Sequence, residues 1–302
     1  MALEWTAEHA AGVLRMPTAS DDKYSRGVLG VRTGSERYPG AAVLGVEAAH
    51  RTGLGMVRYL GPERPTALVL ARRPETVTAD GRVQAWLIGS GTDASERRAA
   101  ETRALRDLLA GEVPVVVDAG AIDLVADAPG GAPWRAPVVV TPHDRELARL
   151  RDAAGLPAVD LTGPGVDRTA AAVDTARALG VTVLLKGART VVATPAGVVR
   201  TVTSPTPWLA TAGTGDVLGG ILGALVAGAA GAAEAAGVTA PAETADATGA
   251  LDVEALGALA ATAALVHGRA AAAASAARAG GPITALDVAE AVASVIGALL
   301  HR

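Results

Sequence analysis

The sequence predicts an α/β protein whose mostly parallel central sheet is covered by helices on both faces. Short apolar runs such as Val28–Arg32 and Ala85–Ile88 alternate with longer segments that have helical periodicity. The runs lack the polar alternation of a strand with one wet face, so both faces of the sheet are expected to be buried. Regular β-α alternation is typical of one layered α/β domain, and we expect a single domain over residues 1–302.

Each element follows from a local pattern. The first helix is expected to begin after Thr6 and to be stopped by Pro17, which cannot continue a helix. The other predicted strands of the first two thirds are Met56–Leu60, Ala67–Leu70, Pro114–Val117, Val138–Val140 and Val181–Leu185. The helices between them are predicted at Gly40–Arg51, Ser95–Ala110, Arg145–Ala154 and Arg168–Leu179.

The pattern changes after Leu185. Two apolar runs, Val191–Thr194 and Val198–Val202, flank a Pro-Ala-Gly turn and predict a β-hairpin. Three helices are expected to follow, at Asp216–Gly228, Leu256–Arg278 and Leu286–Leu300. The Ala- and Gly-rich stretch 228–252 has little periodicity and is expected to be an exposed insertion.

Composition excludes several classes of protein. Half of the 302 residues are hydrophobic, which is enough for a large core, and the formal net charge of −4 gives no reason to expect nucleic-acid binding. The absence of cysteine excludes disulfides and thiolate metal sites. The longest uncharged stretch, Val217–Ala233, is shorter than the roughly 20 residues of a membrane span, so we expect a buried helix and no membrane partner. The N-terminal segment lacks the pattern of a signal peptide, so a cytoplasmic location is expected.

The segment Ala212-Gly-Thr-Gly-Asp216 carries the strongest chemical signal. It precedes an apolar helix, and the first amides of a helix have no internal partners and carry partial positive charge. Gly213 and Gly215 would let a phosphate approach those amides closely. Asp216 beside the anion suggests a base that takes a proton from a hydroxyl receiving a phosphoryl group. The alternative is an aspartate that only begins a core helix.

Unusual polar residues and glycines follow the predicted strands. Segments 89–93, 118–120, 141–143 and 186–190 each come directly after an apolar run. Ligands bind at the carboxyl ends of the strands in open parallel sheets, so these segments are expected to face one crevice. An ordinary turn is the alternative for each segment taken alone.

Some of these residues suggest particular roles. Gly91 would allow close backbone approach to a phosphate or a flat ring. Asp118 could hold Mg²⁺ through water, or cap the next turn. His143 could donate a hydrogen bond to a substrate, or cap the following helix together with Glu146. Lys186 could neutralise nucleotide phosphates as a point charge.

Two backbone segments complete the predicted crevice. The amides of Gly187, Ala188 and Arg189, with Thr190, could continue a nucleotide-binding loop. Near the N-terminus, Gly40, Ala41 and Ala42 begin a helix after a polar loop and leave room for a bulky planar group. P-loop, Rossmann and nucleophile-elbow motifs are absent from the sequence.

Together these segments resemble the ADP-dependent NAD(P)H-hydrate dehydratases, a branch of the ribokinase-like superfamily. The resemblance is carried by Tyr38-Pro-Gly-Ala-Ala42, Gly89-Ser-Gly91, Thr141-Pro-His-x-x-Glu146, Leu185-Lys-Gly-Ala-Arg-Thr190 and Ala212-Gly-Thr-Gly-Asp216, in the family's order. It implies a three-layer α/β/α ribokinase-like fold. It also implies Mg²⁺ and ADP, or ATP, acting in the dehydration of hydrated NADH or NADPH, with AMP and phosphate as products.

The resemblance assigns roles residue by residue. It implies that Gly40, Ala41, Ala42, Gly91, His143 and Asp216 contact the hydrated nicotinamide nucleotide. It implies that residues Lys186, Gly187, Ala188, Arg189, Thr190, Ala212, Gly213, Thr214 and Gly215 contact the adenine nucleotide. Asp216 is implied as the catalytic base. The family also implies a homo-oligomer and, because this chain has no room for a fused epimerase domain, a separate epimerase partner.

The chain departs from the family's pattern in three places. Other residues are usual in the family at three places, which this chain fills with Ser90, Thr92 and Asp93, with Gly120, and with the pair Asp144-Arg145. These departures leave the proposed base and phosphate turn intact and put the substrate contacts near 89–93 and 118–120 in question. The alternatives are a ribokinase-like kinase of a small alcohol and a nucleotide-binding protein without catalysis.

Overall fold

The computed structural model describes residues 2–128, 134–161, 163, 165–237 and 251–301. Its strands are β1 Leu3–Glu4, β2 Val28–Arg32, β3 Met56–Tyr59, β4 Ala85–Ile88, β5 Val115–Val117, β6 Val138–Val140, β7 Thr182–Leu185, β8 Arg189–Ala193 and β9 Val199–Thr203. Its α-helices are α1 Ala7–Val13, α2 Gly40–Thr52, α3 Glu63–Arg72, α4 Ala99–Leu109, α5 Asp144–Ala153, α6 Arg168–Leu179, α7 Thr214–Ala235, α8 Ala255–Ala276 and α9 Ala285–Leu300. Within the described residues, 3-10 helices lie at Ala119–Asp127 and Pro207–Leu209.

The strands form one sheet in the order β1-β9-β8-β7-β6-β5-β4-β2-β3 in the part of the chain that the structure describes. Every neighbouring pair is parallel except the two that involve β8, which runs antiparallel to β7 and to β9. The β8–β9 pair is the predicted hairpin. Because β2, β4, β5, β6 and β7 are parallel, their carboxyl ends meet at one edge of the sheet.

Helices cover both faces of the sheet. One core lies between the sheet and α2, α7, α8 and α9, and the other lies against α4, α5, α6 and the first 3-10 helix. Leu87 on β4 belongs to the first core, and its neighbour Ile88 belongs to the second. Both faces of the strands are therefore buried, as the unbroken apolar runs predicted, and the three-layer fold is confirmed.

The predicted strand Ala67–Leu70 is wrong. These residues lie in α3, which packs on the outer side of α2. Only Val69 is buried, whereas Leu68 and Leu70 are 43% and 36% exposed. A short apolar run on a surface helix has the composition of a buried strand, and only the tertiary contacts distinguish them.

The helix after the glycine turn is longer than predicted. It begins at Thr214 and runs to Ala235, so residues 228–235 continue a helix and do not belong to an exposed insertion. Ala230 and Gly231 pack into the protein, and the close approach of Tyr24 O to Gly231 requires a glycine there. The rest of the predicted insertion, residues 238–250, lies outside the described residues, and Leu251 beyond it is buried.

Two helices, α7 and α8, are long and apolar enough to cross a membrane, with mean hydropathies of 1.6 and 1.3. In the structure, 61% and 83% of their apolar stretches are buried against the rest of the protein. A mostly buried core helix passes the same test of length and composition. We therefore interpret both as core helices, as expected for Val217–Ala233.

Candidate active site

The turn into α7 reaches the carboxyl edge of the sheet through a left-handed glycine. Gly213 has φ +87°, and a side chain on it would approach the Leu44 side chain to 2.6 Å. The Thr214 hydroxyl holds the turn by donating to the carbonyl oxygens of Leu209 and Thr211 at 2.9 and 2.8 Å. Because only glycine fits, the turn brings the amides of Gly215 and Asp216, which have no hydrogen-bond partner among the described residues, to an accessible edge.

Asp216 lies in the first turn of α7, two residues after the helix begins. Burial and, to a smaller extent, the nearby charge of Asp118 raise the pKa of its carboxyl to about 7, against the opposing charge of Lys186. A carboxylate with a pKa near neutral pH can accept a proton from a substrate and release it again. The turn therefore places a carboxyl that can accept a proton at the N-terminus of a helix, where the amides favour anions.

A buried ion pair lies beside this turn. Lys186 Nζ donates to Asp118 Oδ1 at 3.0 Å and lies 3.6 Å from Glu146 Oε2. Asp118 also accepts hydrogen bonds from the hydroxyls of Thr141 and Ser90, at 2.7 and 3.0 Å. Burial opposes ionisation, but the Lys186 charge and these bonds hold the pKa of Asp118 below its ordinary value, so the pair stays charged.

Lys186 is also the group that reaches toward the glycine turn. A methyl group placed on Gly215 would lie 3.7 Å from its Nζ. Although burial alone would lower it, Asp118 and Glu146 raise the pKa of Lys186, so the ammonium keeps its charge. The sequence did not predict that this lysine is shared between two carboxylates, because the lysine and its two partners follow three different strands.

The segment 186–190 is organised by an arginine that the sequence analysis missed. Arg168, the first residue of α6, donates to the carbonyl oxygens of Lys186 and Arg189 at 2.6 and 2.8 Å and to Asp144 Oδ1 at 2.9 Å. The Arg168 guanidinium lies so close to Gly187 that a methyl group there would meet it at 2.7 Å. The remaining members of the segment, Ala188 and Thr190, follow on β8 or just before it.

The predicted substrate loop is close to the segment after β4. Gly91 has φ +66°, and a methyl group on it would lie 2.3 Å from the Ala41 side chain and 3.0 Å from the Tyr38 carbonyl. Ala41 and Ala42 are buried, and Gly40 begins α2 beside them. The structure therefore brings Gly40–Ala42 and Gly91 together, as expected.

His143 caps α5. Its Nδ1 accepts hydrogen bonds from the amides of Arg145 and Glu146 at 3.1 and 3.3 Å, and Glu146 Oε2 accepts from the His143 amide at 2.8 Å. The capping role left open by the sequence is therefore present for both residues. The His143 side chain is 49% exposed at the same edge.

The described residues contain no group of three or more His, Cys, Asp or Glu side chains that could hold a metal ion. Asp118 Oδ1 is occupied by Lys186 and Thr141. The protein side chains of this site do not by themselves form a metal centre.

A sequence model of the NAD(P)H-hydrate dehydratase family matches residues 29–293. The chain belongs to the NAD(P)H-hydrate dehydratase family. The match includes every predicted site residue, from Gly40 to Asp216.

Known relatives in this dehydratase family agree with the match. The chain is 46% identical over 231 residues to the bifunctional NAD(P)H-hydrate repair enzyme of Mycobacterium tuberculosis, covering 74% of this chain and 46% of that protein. It is 34% identical over 240 residues to the ADP-dependent (S)-NAD(P)H-hydrate dehydratase of Neisseria meningitidis, covering 74% and 76%. The chain thus spans about half the length of the bifunctional relatives.

The fold matches a solved member of the dehydratase family. The ADP/ATP-dependent NAD(P)H-hydrate dehydratase of Bacillus subtilis, co-crystallised with ATP and Mg²⁺, superposes with a TM-score of 0.78. The identity is 25%, and the alignment covers 99% of each chain.

His267 lies next to the glycine turn, although the sequence pattern did not indicate that it belongs near the site. It lies on α8, and burial lowers its pKa to about 4 while a hydrogen bond to the backbone of Thr214 opposes the shift. The imidazole is therefore neutral, and it is hydrogen-bonded to the backbone of Thr214, the first residue of α7. A histidine inside a long apolar helix was the only sequence signal, and it does not reveal the partner.

Cavities in the described part of the chain lie at both ends of the strands. A cavity of about 450 Å³ adjoins the strand ends, between Asp93 and α5. A larger one of about 1070 Å³ is lined by Thr52, Gly53 and the C-terminal half of α7. The larger one lies at the opposite edge of the sheet, away from Asp216, so size alone does not identify the site.

Proposed function

We propose that this chain catalyses the ADP-dependent dehydration of hydrated NADH and NADPH, releasing the restored cofactor, AMP and phosphate. The observation that carries the proposal is the position of Asp216, a carboxyl with a pKa of about 7 in the first turn of α7. The match of the family model to residues 29–293 supports the same activity.

In the proposed reaction, Asp216 accepts the proton of the 6-hydroxyl group of the hydrated ring. The hydroxyl oxygen bonds to the terminal phosphorus of ADP, and AMP leaves. The C6–O bond of the phosphorylated intermediate then breaks, phosphate departs, and loss of a ring proton restores the dihydropyridine. The amides of Ala212–Gly215 stabilise the charge on the transferring phosphoryl group.

The adenine nucleotide is proposed to lie along residues 186–190. Lys186 donates a hydrogen bond to Asp118 and lies 3.6 Å from Glu146, which leaves N–H capacity for a phosphate, and its Nζ lies close to Gly215. That geometry suits a phosphate held between the lysine and the glycine turn. Mg²⁺ is proposed to enter with the nucleotide and to be held mainly by its phosphates, since the described residues supply no metal cluster.

The substrate is proposed to approach from the other side of the turn. Gly40–Ala42 and Gly91 meet there, and His143 stands exposed at the same edge. We also propose a cytoplasmic location, a homo-oligomeric assembly and an epimerase as the partner activity. The Mycobacterium tuberculosis relative is named as bifunctional, which supports a second repair activity beside the dehydratase.

The test is an assay of the purified protein with hydrated NADH, ADP and Mg²⁺. Recovery of absorbance near 340 nm together with release of free phosphate is the expected result. A stable phosphorylated product would instead indicate a kinase. Adenine-nucleotide binding without any turnover would indicate a protein that only binds nucleotides.

A further inference from the structure

The cavity of about 450 Å³ is built by three consecutive strand ends. Its walls come from Thr92–Ala94 after β4, from the 3-10 helix after β5 and from α5 after β6. Its volume is within the range of about 300–1,000 Å³ that small-molecule sites occupy. The buried side chains of Ile122 and Leu150 form an apolar floor.

The side chain of Glu146 lies between this cavity and the candidate active site. Glu146 lines it, and the same carboxylate lies 3.6 Å from Lys186 Nζ. Lys186 in turn adjoins Gly215, next to the proposed base. A long ligand whose reactive ring lies at Asp216 can therefore extend over Glu146 into the cavity.

At the rim of the cavity, only one of the two carboxylate oxygens of Asp93 accepts hydrogen bonds from the described residues. Asp93 Oδ1 accepts hydrogen bonds from the amide and hydroxyl of Ser95 at 2.9 and 2.7 Å. Its Oδ2 has no hydrogen-bond or ion-pair partner among the described residues. The bonds from Ser95 lower the pKa of Asp93, so it is charged at neutral pH. Arg149 on the facing helix is exposed and likewise makes no ion pair in the described part of the chain.

We propose that this cavity binds the adenosine end of the hydrated dinucleotide, with Asp93 accepting a hydrogen bond from the ribose. The proposal rests on the proposed function. The apolar floor suits a purine base, and a carboxylate suits the ribose 2′-hydroxyl, the group by which NAD is distinguished from NADP. A 2′-phosphate would be repelled by the charge of Asp93 and attracted by Arg149 on the facing helix, so Asp93 lowers the affinity for hydrated NADPH that Arg149 alone would give.

The first experiment fills the cavity. Ala153 lines it from the exposed end of α5, so Ala153→Trp adds an indole ring without disturbing the core. We expect the KM for hydrated NADH to rise about tenfold or more with little change in kcat. The KM for hydrated, reduced nicotinamide mononucleotide, which lacks the adenosine end, should stay unchanged. Ala110→Trp, at an exposed position after α4, is the control.

The second experiment removes the charge. Asp93→Asn keeps an oxygen for Ser95 and therefore the local turn. It should raise the kcat/KM for hydrated NADPH relative to hydrated NADH by about threefold or more, since the repulsion of a 2′-phosphate is lost. Asp107→Asn, an exposed change on α4, should leave the ratio as it is.

Several outcomes would overturn the proposal while leaving the proposed function intact. These are an equal effect of Ala153→Trp on dinucleotide and mononucleotide, a selective rise in the KM for ADP, or an unchanged cofactor ratio in Asp93→Asn. Calorimetric binding of ADP-ribose at saturating ADP tests the cavity without turnover. Tenfold weaker binding to Ala153→Trp than to the wild type supports the site, and equal binding contradicts it even if no hydrated cofactor is turned over.

Discussion

Lys186 and Asp118 form a buried ion pair, with Nζ 3.0 Å from Oδ1 and only 4% of the Asp118 side chain exposed. The pair joins the ends of β5 and β7, and the charges of both residues act on Asp216. Breaking such a pair leaves an uncompensated charge in a dry site, which is costly. The pair therefore couples the position of the lysine to the protonation of the proposed base.

Asp216→Ala is expected to abolish turnover and to keep adenine-nucleotide binding. Loss of a positioned base costs about 10²–10⁴-fold in rate, while the helix amides that are proposed to hold the phosphate remain. Steady-state rates and a nucleotide titration give the two readouts. Asp107→Ala, an exposed change on α4, is the control. A near-normal rate in Asp216→Ala would show that Asp216 is not the catalytic base.

The rate should depend on pH through Asp216. Because burial raises its pKa to about 7, the base is protonated below that value, and kcat/KM should rise with pH and level off above about 8. Asp118→Asn removes a neighbouring negative charge, so it should move the midpoint to lower pH. An unchanged midpoint in this variant would show that the charge of Asp118 does not affect the pKa of the proposed base.

Lys186→Ala is expected to raise the KM for ADP about tenfold or more, because a charge-assisted hydrogen bond to phosphate contributes about 1.5–3 kcal/mol. The KM for the hydrated cofactor should change much less. The only other lysine, Lys23, lies against the Tyr24 ring far from the site, so Lys23→Ala is a matched control. An unchanged KM for ADP would show that Lys186 only neutralises Asp118 and Glu146.

Glu47 on α2 offers a test of stability. Its fully buried carboxylate accepts hydrogen bonds from Arg51, Arg72 and Arg73. Burial alone would raise it, yet these bonds lower the pKa of Glu47 to about 2. Glu47→Gln should cost about 2 kcal/mol, less than the roughly 3–5 of a fully buried pair because the arginines reach solvent.

The sign of the pH dependence follows from the lowered pKa. The stabilisation by Glu47 is present above the unfolded value of 4.5 and is lost as pH falls toward 2. The difference in unfolding free energy between wild type and Glu47→Gln should therefore be full at pH 7 and shrink below 4.5, as chemical denaturation would show. Glu75→Gln, which removes a single half-exposed partner of Arg73, should cost less than about 1 kcal/mol. Equal losses in the two variants would contradict the buried network.

Local pattern was sufficient for most of the architecture. The bounds of β2, β4, β6 and α6 are those that the spacing of apolar residues predicted. This was possible because the burial of both sheet faces, or of one side of a helix, is reflected in the pattern of residues that are close in sequence. The glycine turn before Asp216 was readable for the same reason, since its conformation depends on the glycine itself.

Contacts between distant segments decided the rest. Ala67–Leu70 lies in a helix that packs against α2, and Lys186 pairs with Asp118 because β5 and β7 flank β6 and end at the same edge of the sheet. The pKa of Asp216 depends on burial and on Asp118, almost a hundred residues away. Burial and charge at a site are properties of the assembled sheet edge, since the electrostatic energy of a group depends on which charges and how much water surround it after folding.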